Sequence, residues 1–144
     1  MPASSDSSLQ IQGGKTPVLG LGLLGVDYVG AVEHLLALAR LSKPTAVAAC
    51  NTHIIALARQ RADFRAALQT FDVLLPDGMP LVWAMRQKGA KQKDRVYGPY
   101  FMQEAIRHLA RPWKHFFFGG TETCLRQLTE ACRQIQPEIN IVGT

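Results

Sequence analysis

Cysteine is scarce: Cys50, Cys124 and Cys132 are the three in 144 residues. Cys124 and Cys132 fall about two turns apart on one predicted helix, too far along its axis for a disulfide. A disulfide-stapled fold is therefore excluded, and reduced thiols in a cytoplasmic setting are expected. Long apolar runs are also missing. The strongest near the start, residues 18–26, is too short to cross a bilayer and is interrupted by Gly20, Gly22 and Gly25. Residues 1–17 carry neither a basic leader nor an apolar centre, so they read as a flexible tail and not as a secretory signal. Metal-ligating spacing is absent. His34 and His108 lie on separate predicted helices, His115 opens a strand, and His53 stands alone in a loop, so no protein metal site is expected. No helix-turn-helix, aromatic RNA-binding motif or dense arginine stripe marks a nucleic-acid partner.

What is present is an ordinary globular composition, 47% hydrophobic and 19% charged. A chain of this size buries roughly two thirds of the surface its unfolded state exposes. The net charge of +5 favours phosphate-bearing partners through long-range attraction.

Periodicity organises residues 18–144 into alternating strands and helices. A β-prone piece over 18–24 precedes Asp27, a helix cap, and an amphipathic run over 29–41 with Val32, Leu35, Leu36 and Ala39 as its apolar stripe. Residues 45–50 read as a buried strand leading to Asn51 and a helix containing Ile54, Ile55, Leu57 and Ala58. Asp63 is placed as the cap of a helix over 64–70. A strand over 72–75 stops at Pro76, and a helix over 79–86 turns Leu81, Val82 and Met85 inward. A basic loop over 89–95 leads to a helix opened by Pro99. A strand over 115–118, the Gly119-Gly120 turn, a helix capped by Thr121 with Leu125, Leu128, Cys132 and Ile135 inward, and a strand over 139–142 complete the pattern. The expected fold is α/β: a Rossmann-like, mostly parallel sheet with helices on both faces. Sites in such sheets form beyond the carboxyl ends of the strands. That rule selects Asn51, Thr52 and His53, then Pro76, Asp77 and Gly78, then Gly119, Gly120 and Thr121.

Each of these residues has two readings. Gly20 to Gly25 satisfies the G-x-G-x-x-G pattern of dinucleotide folds, which makes an NAD-dependent oxidoreductase the rival enzyme. The stretch where a ribose-binding acid belongs, residues 40–51, contains no Asp or Glu, so a glycine-rich strand or hairpin is the preferred reading. Asp77, between a strand-ending proline and a helix, is either a cap or a general base for a hydroxyl. Gly119-Gly120 before a helix suits an anion but also serves plain turn geometry. Arg95 is a solvated residue or a contact to a diphosphate or sugar. Lys88, Lys91 and Lys93 with Arg86 make its loop a solvated segment or an anion-attracting rim.

At these loops the chain resembles the WecG/TagA/CpsF glycosyltransferases, also called glycosyltransferase family 26, from about Leu24 to Thr144. The resemblance is carried in order by Asn51-Thr52-His53 with Ala58-Arg59, by residues 71–80 around Asp77-Gly78, by Arg95-Val96-Tyr97-Gly98-Pro99, by residues 116–120, and by residues 137–144. It implies transfer of a hexose or N-acetylhexosamine, such as N-acetylmannosamine, from a UDP-sugar to a polyprenyl-diphosphate-linked saccharide. The setting would be synthesis of teichoic acid, enterobacterial common antigen or exopolysaccharide at the cytoplasmic membrane face. By the same resemblance Asp77 is the base of an inverting displacement, and Asn51 positions the donor sugar. Gly119, Gly120 and Gly143 approach the nucleotide, and Arg95 and Gly98 complete the substrate contacts. No cofactor beyond the donor is implied, and assistance by a divalent cation is left open.

The chain departs from the family pattern in three places. Ala49 replaces a threonine two positions before the asparagine, and Tyr100 replaces an aspartate that commonly follows the Arg-Gly segment, so the donor is expected to differ. The last strand ends where family members continue into further α/β structure and a basic tail, which suggests a truncated catalytic domain over 18–144 prone to self-association. A non-catalytic remnant that binds nucleotide or a partner is the remaining alternative.

Overall fold

The computed structural model describes residues 13–41 and 43–144. Most of the expected flexible tail, residues 1–12, lies outside the described residues. The tail boundary at Pro17 needs correction, because Lys15–Val18 forms strand β1, which pairs antiparallel with β2, Leu21–Leu24. The local cause is a two-residue turn at Leu19-Gly20. Both residues have positive φ, 49° and 86°, which matches the twist a tight hairpin requires. Pro17 can donate no ladder hydrogen bond, which suits β1 to an edge position. Leu21, Leu23 and Leu24 are buried.

Helix α1, Tyr28–Ala39, begins where Asp27 Oδ1 accepts the Gly30 N–H at 2.9 Å. Its buried residues are Ala31, Val32, His34 and Leu38, while Leu35 and Leu36 are half-buried and Ala39 is exposed. The expected stripe was therefore rotated around the helix, because the small Ala31 and the imidazole of His34 occupy positions that apolar counting passes over. Burial pushes His34 below the ordinary histidine range.

The central unit is β3, Val47–Cys50, then α2, Thr52–Gln60, then α3, Ala62–Gln69, then β4, Val73–Pro76. β3 and β4 are parallel, with Val47 opposite Val73 and Cys50 opposite Pro76. All of β4 is buried, and β2 lies against it. Asp72 fastens the start of this pair: its Oδ2 accepts the Ala46 N–H at 2.8 Å, and its own N–H donates to Ala46 O at 2.9 Å. Asp63 does not cap α3. Arg61 holds the cap position, and Asp63 sits in the first turn bonded to the Arg61 guanidinium, where the N-terminal end of the dipole also favours a carboxylate.

Helix α4, Met79–Gln87, buries Leu81, Val82 and Met85 as the periodicity required. α5, Gly98–His108, packs on α1. The last unit is β5, Lys114–Phe116, then α6, Glu122–Ile135, then β6, Asn140–Gly143, with β5 and β6 parallel. Phe117 and Phe118 fall beyond β5, and Phe118 is 96% exposed. Of the expected α6 stripe, Cys132 is buried, and Leu125, Leu128 and Ile135 are only half-buried.

The mixed α/β class follows the expectation, with a difference in the sheet. The hydrogen-bonded ladders among the described residues are three two-stranded pairs, β1–β2, β3–β4 and β5–β6, the first antiparallel. No described helix is long and apolar enough to cross a membrane.

The left-handed backbone at Leu19 is unfavourable for a γ-branched residue that is half exposed. Leu19→Asn should stabilise the fold by about 0.5–1 kcal/mol, since Asn tolerates this conformation better. Urea denaturation at constant m-value checks it, and a lowered midpoint would contradict the turn assignment.

Candidate functional site

The parallel register carries Asn51 and Asp77 to one edge. Each follows the last residue of its strand, and Cys50 stands opposite Pro76. The Asp77 N–H donates to Cys50 O at 2.8 Å, continuing the pairing by one more bond. A third segment joins them, because the Val96 N–H donates to Pro76 O at 2.8 Å. That bond places the start of α5 beside the strand ends.

Asp77 Oδ2 accepts the Gly98 N–H at 3.2 Å. The Gly98 donor lies in the first turn of α5, whose leading N–H groups have no partner within the helix, so an anionic side chain is favoured there. Asp77 thus does not cap the helix that follows it. Gly78 holds that position with no side-chain bond, and Asp77 turns toward a different helix. Gly98 is closely packed: a β-carbon there would stand 3.1 Å from Ala49 Cβ and 3.5 Å from Asp77 Oδ2. Thr52 faces Gly78, where a β-carbon would lie 3.7 Å from its Oγ1.

Asn51 caps α2, its Oδ1 accepting the Ile54 N–H at 3.0 Å. The oxygen is committed to the backbone, and the exposed amide nitrogen is the end free for a ligand. Thr52 and His53 are exposed in the first turn of the same helix. Arg95 lies three residues before Gly98, with its guanidinium carbon 4.9 Å from the centre of the Tyr97 ring. The Tyr97 N–H donates to Tyr28 Oη at 3.0 Å, and Tyr28 meets Tyr100 edge to face at 4.8 Å. Tyr100, the position read as a departure from an aspartate, therefore belongs to an aromatic brace under this segment. Sequence periodicity gave no sign of that brace, since its members come from α1 and α5.

Beside the carboxylate, Cys50 is fully buried. Burial, and secondarily the charge of Asp77, push its thiol up to about 11. A thiol so placed is a poor nucleophile near neutrality.

The second half of the expected site lies apart. Gly119 and Gly120 have φ of 106° and 83°, are exposed, and lead into α6, where Thr121 Oγ1 accepts the Cys124 N–H at 3.2 Å. Gly143 has a packing role: a β-carbon there would stand 2.6 Å from Phe116 Cε2, so the Phe116 ring fills the space beside it. Among the described residues no hydrogen bond links Gly119, Gly120 or Gly143 to the Asp77 cluster.

Gly20 and its neighbours form the β1–β2 hairpin, with no helix starting at Gly22, so the dinucleotide pattern lacks its structural context. Among the described residues no group of three or more His, Cys, Asp or Glu side chains comes together to hold a metal ion. The arrangement can position a hydroxyl against a carboxylate at the strand ends.

The model of the glycosyl transferase WecG/TagA/CpsF family matches residues 16–144. No curated protein matches the chain.

The thiols give a direct check of the packing. Cys124 is exposed, while Cys50 and Cys132 are buried with their thiols pushed upward. Iodoacetamide at pH 8 should modify Cys124 alone in the folded protein, and all of the thiols in urea. Rapid native modification of Cys50, read by peptide mass, would show that the strand-end packing is open.

Proposed function

The chain belongs to the WecG/TagA/CpsF family of glycosyl transferases, which act in cell-surface polysaccharide biosynthesis, and we propose that it moves a hexose or N-acetylhexosamine from a UDP-sugar to a polyprenyl-diphosphate-linked saccharide with inversion. The observation that carries this reading is the Asp77 carboxylate, fixed by the Gly98 N–H at 3.2 Å at the meeting point of β3, β4 and α5. One oxygen is used to orient the group, which leaves the other for a proton.

In the proposed reaction the acceptor hydroxyl donates its proton to Asp77 as its oxygen bonds to the anomeric carbon. The bond from that carbon to the diphosphate oxygen breaks with its electron pair leaving on UDP. A single displacement inverts the anomeric centre. Such base assistance contributes about 10²- to 10⁴-fold. The Asn51 amide nitrogen and Thr52 hydroxyl border the same edge and are assigned to the donor sugar, with exposed His53 beside them. Gly119 and Gly120 supply exposed N–H groups at the start of a helix for the nucleotide diphosphate. The basic segment around Arg95 faces an anionic substrate at the inner membrane surface.

Asp77→Asn should keep the fold and UDP binding and lower transfer by about 10²-fold or more. Unchanged turnover in a radiolabelled-sugar assay removes Asp77 from the base role. Gly98→Ala, whose added methyl presses on Ala49 and Asp77, should lower kcat about tenfold or more while UDP affinity stays within about twofold. Loss of UDP affinity with kcat preserved would instead place Gly98 in donor binding.

A further inference from the structure

A cavity of about 500 Å³ opens at the carboxyl end of β2, between the start of α1 and residues 90–95. Lys91, Lys93 and Arg95 line it, together with Gly25 and Tyr28. Asp27 and Asp94 also line it, so its wall carries three cations against two carboxylates, each of which has one oxygen turned to a backbone donor. Asp27 Oδ1 accepts the Gly30 N–H, and Asp94 Oδ1 accepts the Arg95 N–H at 2.7 Å. The first N–H groups of α1 have no acceptor within the helix, and the positive end of its dipole lies on this wall.

The second observation is Gln92, which is 7% exposed. Its Nε2 is doubly used, donating to Val26 O at 2.6 Å and to Asp94 O at 2.7 Å. These bonds clamp the basic segment to the end of β2 and fix the amide's orientation. Its Oε1 accepts no hydrogen bond among the described residues and lies beside Gly25, where a β-carbon would stand 3.6 Å from it. An acceptor fixed in orientation at the cavity wall, with no protein donor, is open to a donor from a bound molecule. Two lysines, an arginine and a helix start call for phosphate oxygens. A molecule carrying both is a glycosyl phosphate or diphosphate.

We propose that this cavity binds the diphosphate of the acceptor, with Gln92 Oε1 accepting a hydrogen bond from a hydroxyl or amide of its attached sugar. The choice of acceptor over donor rests on the glycosyl-transfer reading above and on connectivity. The backbone from Arg95 to Gly98 runs directly from the cavity wall to the donor that holds Asp77. The Gly119-Gly120 turn, assigned to the nucleotide, lies on the separate β5–β6 unit.

The test is calorimetric titration of the whole chain and of Lys91→Ala/Lys93→Ala, both exposed positions, with inorganic pyrophosphate and with UDP. Pyrophosphate affinity should fall at least about tenfold in the double variant, with a shallower salt dependence, while UDP affinity stays within about twofold. Unchanged pyrophosphate affinity overturns the site. An equal fall for UDP overturns the acceptor assignment and gives the cavity to the donor. A hexose 1-phosphate should bind the unaltered chain more tightly than inorganic phosphate, and equal affinities remove Gln92 from ligand recognition. Lysine-dependent pyrophosphate binding in a chain that binds no UDP would sink the donor reading and leave the anion site standing.

Discussion

The parallel pairing of β3 with β4 is the constraint on which the site depends. With Cys50 opposite Pro76, the residues that follow, Asn51 and Asp77, leave the sheet at the same level. A shift of one residue would turn the side chains of β4 to the opposite face and separate the pair. The register is held from both ends. Asp72 binds Ala46 at the start, and the Asp77 N–H binds Cys50 O at the finish. Between them Leu74 and Leu75 are buried, so slippage would exchange the packing partners of both. The Ala46 N–H, and secondarily Lys43, hold the Asp72 carboxyl below the ordinary carboxylate range. Its stabilisation is therefore present above the ordinary carboxylate range and lost as pH falls through its lowered value.

From that register the third segment follows. The Val96 N–H bonds to Pro76 O, and the chain then turns into α5 with Gly98 facing Asp77. Glycine suits this approach, since an added β-carbon would press on Ala49 and touch the carboxylate. Ala49 and Gly98 are thus one packing unit. A threonine at the alanine position would place a larger side chain against the same glycine, so the loss of a hydroxyl here is also a gain of room beside Asp77.

Much of this was legible from residue order alone. Caps at Asp27 and Thr121 are short-range chemistry, visible as a polar side chain before an apolar period, and each makes its expected bond, while Asn51, read only as the junction between a strand and a helix, also caps α2. Asp77 and Gly98 were selected separately, one by its place after a strand and the other by resemblance. Their direct contact was not visible, because it depends on a bond between segments 21 residues apart. Gln92 was passed over for the same reason: in a basic loop it looks like one more solvated residue, and its burial arises from Val26, 66 positions away. The contact of Gly143 with the Phe116 ring was likewise not visible, because it forms between neighbouring strands far apart in the chain. The misplaced stripe on α1 has a different origin, since counting apolar residues cannot anticipate that a histidine is buried in place of a leucine.

The charge of the chain can now be located. The loop over 89–95 carries Lys91, Lys93 and Arg95, and it is ordered not by its cations but by Gln92, which bonds both sides of the cavity wall. Mutual repulsion of exposed lysines is weak in water and weaker with salt, so a single buried amide suffices to keep them on one rim. The guanidinium of Arg95 is oriented by the Tyr97 ring, and Tyr97 is tied through Tyr28 to α1. The cations are therefore arranged by neutral groups. Gln92 thus fixes the backbone that carries Lys91 and Lys93, and the Tyr97 ring orients Arg95, so an anion at this rim would still have to order the two exposed lysine side chains but not the segment that bears them.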